Sequence, residues 1–173
     1  MEVALSDKNI RHALHDDVNI VLYSKLSSLK NLDQLFNGYD CCALLYLAKK
    51  SYGHWTALIK DEPKNIVYYF DSFGETVDEP LTQLTSEQKR LCNEQRNYLS
   101  KLIYKSGYNC DFMAEPLQED RPDIKTCGRW VIARCLLKNL TNTEFEDFFK
   151  KNPGDTFTPD EVVTEFTRPL LGF

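Results

Sequence analysis

The chain has no apolar run approaching the roughly 20 residues needed to span a bilayer. Its first residues, MEVALSDKNIRHALHDD, also lack the basic start and apolar core of a secretory signal. These absences predict an intracellular protein with no membrane partner. Six cysteines are irregularly spaced without a CxxC pair, and there are only three histidines. Neither a zinc site nor a disulfide framework is expected from such spacing. No Gly-rich phosphate loop is present, so no cofactor is expected. The net charge of −5 is spread over interspersed acidic and basic residues with no basic run, which argues against nucleic acid as the main partner. Repeats, low-complexity tracts and linkers are absent as well.

What remains is enough to fold. The 173 residues, 42% apolar and 12% aromatic, suit one domain with a substantial core. Val18 to Tyr23 reads as an early strand, and Leu26 to Phe36 as a short helix closed by Asn37-Gly38. Three apolar runs follow: Cys41 to Ala48, Trp55 to Lys60 and Ile66 to Phe70. Separated by Tyr52-Gly53 and by Asp61 to Asn65, they predict an antiparallel meander. Thr85 and Gln88 have capping-box spacing for a long amphipathic helix that carries Leu91, Tyr98, Leu99, Leu102 and Ile103 and ends at Gly107. Tyr108 to Ala114 reads as a strand, and Glu115 to Thr126 as an exposed, charged loop. From Cys127 onward, GRWVIARCLLKNL is apolar on most sides and predicts a buried helix. Two more helices complete the chain, one with Phe145, Phe148 and Phe149, the other starting at the capping box Thr158-Pro159-Asp160-Glu161. The expected fold class is α+β, a central mainly antiparallel sheet packed against helices.

Four positions carry the chemistry. Cys127 follows Thr126, a good N-cap, so its sulfur would sit in the first turn of the buried helix, where free N–H groups and the helix dipole stabilise a thiolate. Gly128 would let a substrate carbonyl approach the backbone closely. His54 begins a strand after a turn, a suitable place for a general base, and Asp71 ends the next strand. Antiparallel pairing would make the two neighbours and let Asp71 orient the imidazole. Gln118, in the loop before Cys127, supplies an amide N–H that could complement the Cys127 N–H at an oxyanion. Trp55 should anchor its strand in the core and wall a substrate channel. Each residue alone has an ordinary explanation: a buried thiol, a solvated histidine, a turn aspartate, a loop glutamine. Their mutual placement is what predicts a thiol hydrolase.

The order His54-Trp55, Asp71-Ser72, Gln118, Cys127-Gly128 resembles the adenovirus-protease and SUMO-protease superfamily of cysteine peptidases. The resemblance spans roughly residues 40 to 140. Within it, YGHWTALIK, YYFDSFG and TCGRW look most like members encoded by large DNA viruses and related transposons. It implies an adenain-like fold with His54 as base, Asp71 as orienter, Gln118 in the oxyanion hole and Cys127 as nucleophile. It further implies cleavage of a peptide or isopeptide bond, often after a small residue such as glycine. The substrate would be a viral structural protein matured in the virion or host cytoplasm. The alternatives are a ubiquitin-like conjugate, or no substrate at all if the domain is a silent binding relative.

Overall fold

The computed structural model describes residues 4–49, 52–113, 115–151 and 156–173. Among these, five strands lie side by side in chain order: β1 (Asn19–Leu22), β2 (Cys41–Lys49), β3 (Tyr52–Asp61), β4 (Ile66–Phe70) and β5 (Asn109–Phe112). The meander β2-β3-β4 is antiparallel as the turns between its apolar runs predict. The outer strands join in parallel, β1 on β2 and β5 on β4, so the sheet is antiparallel at its centre and mixed at its edges. Parallel neighbours need a crossover. The first runs through a 3₁₀ helix (Tyr23–Ser28) and α2 (Leu32–Phe36), the second through α3 (Ser86–Leu91) and α4 (Tyr98–Ser106). Before β1 stands α1 (Asp7–Ala13), and α5 (Cys127–Leu136), α6 (Asn142–Lys151) and α7 (Pro159–Leu171) close the chain.

Side chains alternate across a strand, and both faces of this sheet are covered. Cys41, Ala43, Trp55, Ala57, Ile59 and Phe70 meet Ile10, Trp130, Phe145, Phe149 and Val163 from α1 and the three C-terminal helices. Cys42, Leu44, Leu58, Val67 and Tyr69 meet Leu35, Phe36, Leu99 and Leu102 on the other side. Double coverage explains why the strands read as continuous apolar runs. Helix α5 is buried along its length, including Arg134, which is fully buried. Its guanidinium donates to Leu137 O (3.1 Å), Leu140 O (2.9 Å) and Asn142 Oδ1 (3.1 Å). Those bonds satisfy carbonyls just past the helix end, while burial pulls the Arg134 pKa down to about 10.

Several expectations need correction. Leu26 to Phe36 is two pieces, because Asn31 accepts from Gln34 N and starts a fresh helix. Tyr52-Gly53 belongs to β3 rather than to a break, and Gly53 is admissible there because Leu45 occupies the space a Cβ would need, 2.3 Å away. Helix α1 was not expected; a capping box between Ser6 and Asn9 starts it. The long helix after Thr85 is also two. Its capping box and Gly107 end are present, but Asn93 adopts a left-handed φ of 53° and the chain turns inward. Leu91 is left 64% exposed while Glu94 is fully buried. Finally, Cys41 and Cys135 form a disulfide between β2 and α5, Cα–Cα 6.0 Å, across 94 residues of sequence. No local spacing marks it; the packing of α5 on β2 makes the pair.

Glu94 generates a pH prediction. Its Oε1 accepts from Leu47 N at 2.6 Å, its Oε2 has no hydrogen-bond partner among the described residues, and burial pushes its pKa up to about 7 from 4.5. The native state therefore holds a proton that the unfolded chain has released between those values. Stability falls as pH rises from 4.5 to 7, by about 2 to 3 kcal/mol. Glu94→Gln should remove this slope. Thermal or urea melts should show the variant gaining about 2 kcal/mol on the parent between pH 5 and pH 8; parallel curves would refute it.

Candidate active site

The site begins with strand register. Ala57 pairs with Phe70 across β3 and β4, which brings the start of β3 beside the end of β4. His54 Nε2 lies 3.0 Å from Asp71 Oδ2, with the imidazole 16% exposed and the carboxylate fully buried. The other carboxylate oxygen accepts from Phe73 N at 2.8 Å, and the Phe73 ring stacks on the imidazole, centroids 5.0 Å apart. One turn, Asp71-Ser72-Phe73, thus fixes the histidine by charge, by hydrogen bond and by stacking.

The same turn holds the amide. Ser72 O accepts from Leu117 N and Gln118 N, each at 2.9 Å, and Ser72 Oγ donates to Gln118 Oε1 at 2.7 Å. With its oxygen engaged, Gln118 keeps its amide nitrogen, Nε2, as the donor end, and the residue lines the cavity that His54 and Cys127 share. Gln118 and Leu117 are buried, so the loop from Glu115 to Thr126 is not exposed throughout as its charges suggested. Ser72, rather than composition, decides which part of it turns inward.

Cys127 opens α5 and lines the same cavity as His54. Since Nε2 faces Asp71, Nδ1 is the nitrogen left for the sulfur. Thr126 is not a side-chain N-cap: its backbone is already helical (φ −93°, ψ −2°) and its hydroxyl donates to Asp160 Oδ1. The helix terminus still points its free N–H groups toward Cys127. Burial alone would lower the His54 pKa, but the hydrogen bond and charge of Asp71, aided by Cys127, outweigh it and push the value up to about 10. Nearby Glu75 is raised to about 7 by burial and the charge of Asp71.

His54, Phe73, Gln118, Lys125 and Cys127 line one cavity of about 400 Å³. All four residues expected to carry chemistry are therefore together. Trp55 is buried at 5% exposure, donates from Nε1 to Leu5 O at 3.0 Å, and borders a second cavity of about 540 Å³ that also reaches Cys127. Gly128 also has a packing role. A Cβ there would lie 2.9 Å from Leu5 Cβ, so its missing side chain makes room for the N-terminal segment. Sequence reasoning named Asp71-Ser72 but not the roles of Ser72 and Phe73; the compact Asp-Ser-Phe-Gly turn was their only signal. Among the described residues no cluster of three or more His, Cys, Asp or Glu could hold a metal ion.

The chain belongs to the same family as the uncharacterized protein V9 of Sputnik virophage, with which it is 37% identical over 171 residues, covering 96% of this chain and 95% of that one. No family model matches it. Among solved structures it is similar to the ASFV pS273R protease, at TM-score 0.49 and 16% identity over 96% of this chain and 67% of that one. It is also similar to the catalytic domain of the Chaetomium thermophilum Ulp1-like SUMO protease, at TM-score 0.46 and 14% identity over 98% and 71%.

The His54–Asp71 pair sets a pH expectation. Because the folded pKa is raised above 6.5, the pair stabilises fully below pH 6.5 and loses its contribution as pH climbs through about 10. In Asp71→Asn, burial acts against a weaker partner, so the ring should titrate several units lower. NMR titration of the His54 ring resonances reads this directly. An unshifted midpoint would show that Asp71 does not hold the proton.

Proposed function

We propose that this member of the V9 family is a cysteine peptidase that hydrolyses peptide or isopeptide bonds by acyl transfer through Cys127. The observation that carries the proposal is one imidazole held by a buried carboxylate, 3.0 Å from Nε2, in a cavity lined also by Cys127 at the head of α5 and by Gln118. The His54 pKa, pushed up to about 10 chiefly by Asp71 against the effect of burial, keeps the imidazole available as proton donor and counter-ion in the reaction.

The thiolate attacks the scissile carbonyl carbon and forms a C–S bond. The oxyanion is held by Cys127 N–H and Gln118 Nε2. His54 donates its proton to the amine as the C–N bond breaks, then takes one from water, which hydrolyses the thioester. Asp71 keeps the ring oriented and its charge balanced. Phe73 restrains the ring from the side. Kinship with a virophage protein supports protein processing in a viral setting, with a viral structural protein as the substrate to test first and ubiquitin-like conjugates as the comparison.

The free thiols give internal controls. Cys110 is exposed, yet partial burial and the charge of Asp111 push its pKa up to about 11, and Cys92 is raised by burial and by Glu94. Iodoacetamide at pH 6, read by peptide mass, should label Cys127 at least ~10-fold faster than either, and His54→Ala should abolish the preference. Equal rates at the three thiols would sink the assignment. Turnover of a cleaved protein substrate should vanish in Cys127→Ala and fall ~10²- to 10³-fold in Gln118→Ala. Cleavage by folded Cys127→Ala would point to another nucleophile.

A further inference from the structure

Asp160, the second residue of α7, is buried at 4% exposure and lies outside the residues assigned to the chemistry. Its carboxylate accepts three hydrogen bonds from two other parts of the chain. Glu119 N, next to Gln118, donates to Oδ2 at 2.8 Å. The hydroxyl of Thr126, next to Cys127, donates to Oδ1, as does Trp130 Nε1 from the first turn of α5 at 2.9 Å. No Lys or Arg forms a salt bridge with it among the described residues. The charge is instead balanced by N–H and O–H donors and by its place at the N-terminal end of α7.

This carboxylate ties together the two segments that must converge on an oxyanion. Gln118 is fixed from one side by Ser72. On the other side, the Glu119–Asp160–Thr126 linkage spans from the residue after the glutamine to the residue preceding the nucleophile. An oxyanion site acts only if its donors are held in place before reaction, and a displacement of about 1 Å can cost ~10²-fold. Resting on the reading of Cys127 and Gln118 given above, we infer that Asp160 is a positioning residue that sets the spacing between the Gln118 amide and the Cys127 backbone N–H.

Two reactions of one thiolate separate this role from a merely structural one. Iodoacetamide alkylation forms the S–C bond with loss of iodide and never develops an oxyanion at the attacked carbon. Acylation by p-nitrophenyl acetate passes through a tetrahedral oxyanion before p-nitrophenolate leaves and the thioester forms. Both are read at Cys127 by peptide mass. In Asp160→Asn, the amide oxygen can still accept from Thr126 and Trp130, while its NH₂ group opposes Glu119 N–H, donor against donor. Acylation should fall ~10- to 100-fold while alkylation stays within about twofold, and Asp160→Asn added to Gln118→Ala should cause little further loss. A ratio of the two rates unchanged in Asp160→Asn, or losses that multiply in the double variant, would overturn the inference. If wild-type Cys127 shows no acylation advantage over Cys110 and Gln118→Ala changes nothing, the peptidase reading fails instead. Should Asp160→Asn not fold, Thr126→Val removes the bond next to the nucleophile and leaves those of Trp130 and Glu119 to Asp160 in place. It should lower the same ratio ~3- to 10-fold, and an unchanged ratio would again overturn the inference.

Discussion

A fully buried carboxylate at the end of β4 is the constraint on which the rest of the site depends. Removing Asp71 from water costs several kcal/mol unless partners replace the solvent. The structure provides them: Phe73 N on one oxygen and His54 on the other. Once Asp71 is held this way, the imidazole has one free nitrogen and one direction to face. The turn that contains Asp71 also carries the serine that orients Gln118. A single three-residue segment therefore fixes His54 and Gln118 relative to each other, and the Cys127 thiol needs only to arrive at the open side of the ring.

The fold delivers it there through the sheet. With apolar side chains on both faces, the strands must be covered on both sides, and α5 is the helix most deeply buried against one of them. Its N-terminus reaches the end of the sheet where β3 starts and β4 stops. The disulfide between Cys41 and Cys135 ties the far end of the same helix to β2. Gly128 lets the N-terminal segment pack under the first turn, and Trp55 hydrogen-bonds that segment from β3. Packing at both ends thus places the thiol.

Four buried ionisable groups show how differently a fold can treat charge. Asp71 is paired with a histidine that shares its charge. Asp160 is surrounded by three donors from two other parts of the chain. Arg134 spends its guanidinium on carbonyls and two aromatic rings, Tyr68 and Phe145, without a carboxylate in salt-bridge contact. Glu94 has one oxygen bonded and one bare. Only the last is poorly satisfied, and it is also the one whose protonation should track stability near neutral pH. Asp71 and Asp160, each with both oxygens bonded, lie beside the candidate site, where geometry matters most.

Much of this was legible in the residue order. Alternating and continuous apolar runs with turn residues between them predict β2, β3 and β4. Capping boxes at Thr85 and Thr158 and the glycine at position 107 mark helix ends through local hydrogen bonding that needs no distant partner. His54, Asp71, Gln118 and Cys127 could be named because strand ends and helix starts are local features too. Tertiary structure alone decided what depends on residues far apart in sequence. It broke the helix after Leu91 so that Glu94 could cap Leu47 N, drew Leu117 and Gln118 inward onto Ser72, turned the Thr126 hydroxyl to Asp160 and joined Cys41 to Cys135. Local propensities set where each element begins; which buried polar group finds a partner is settled only when the elements pack.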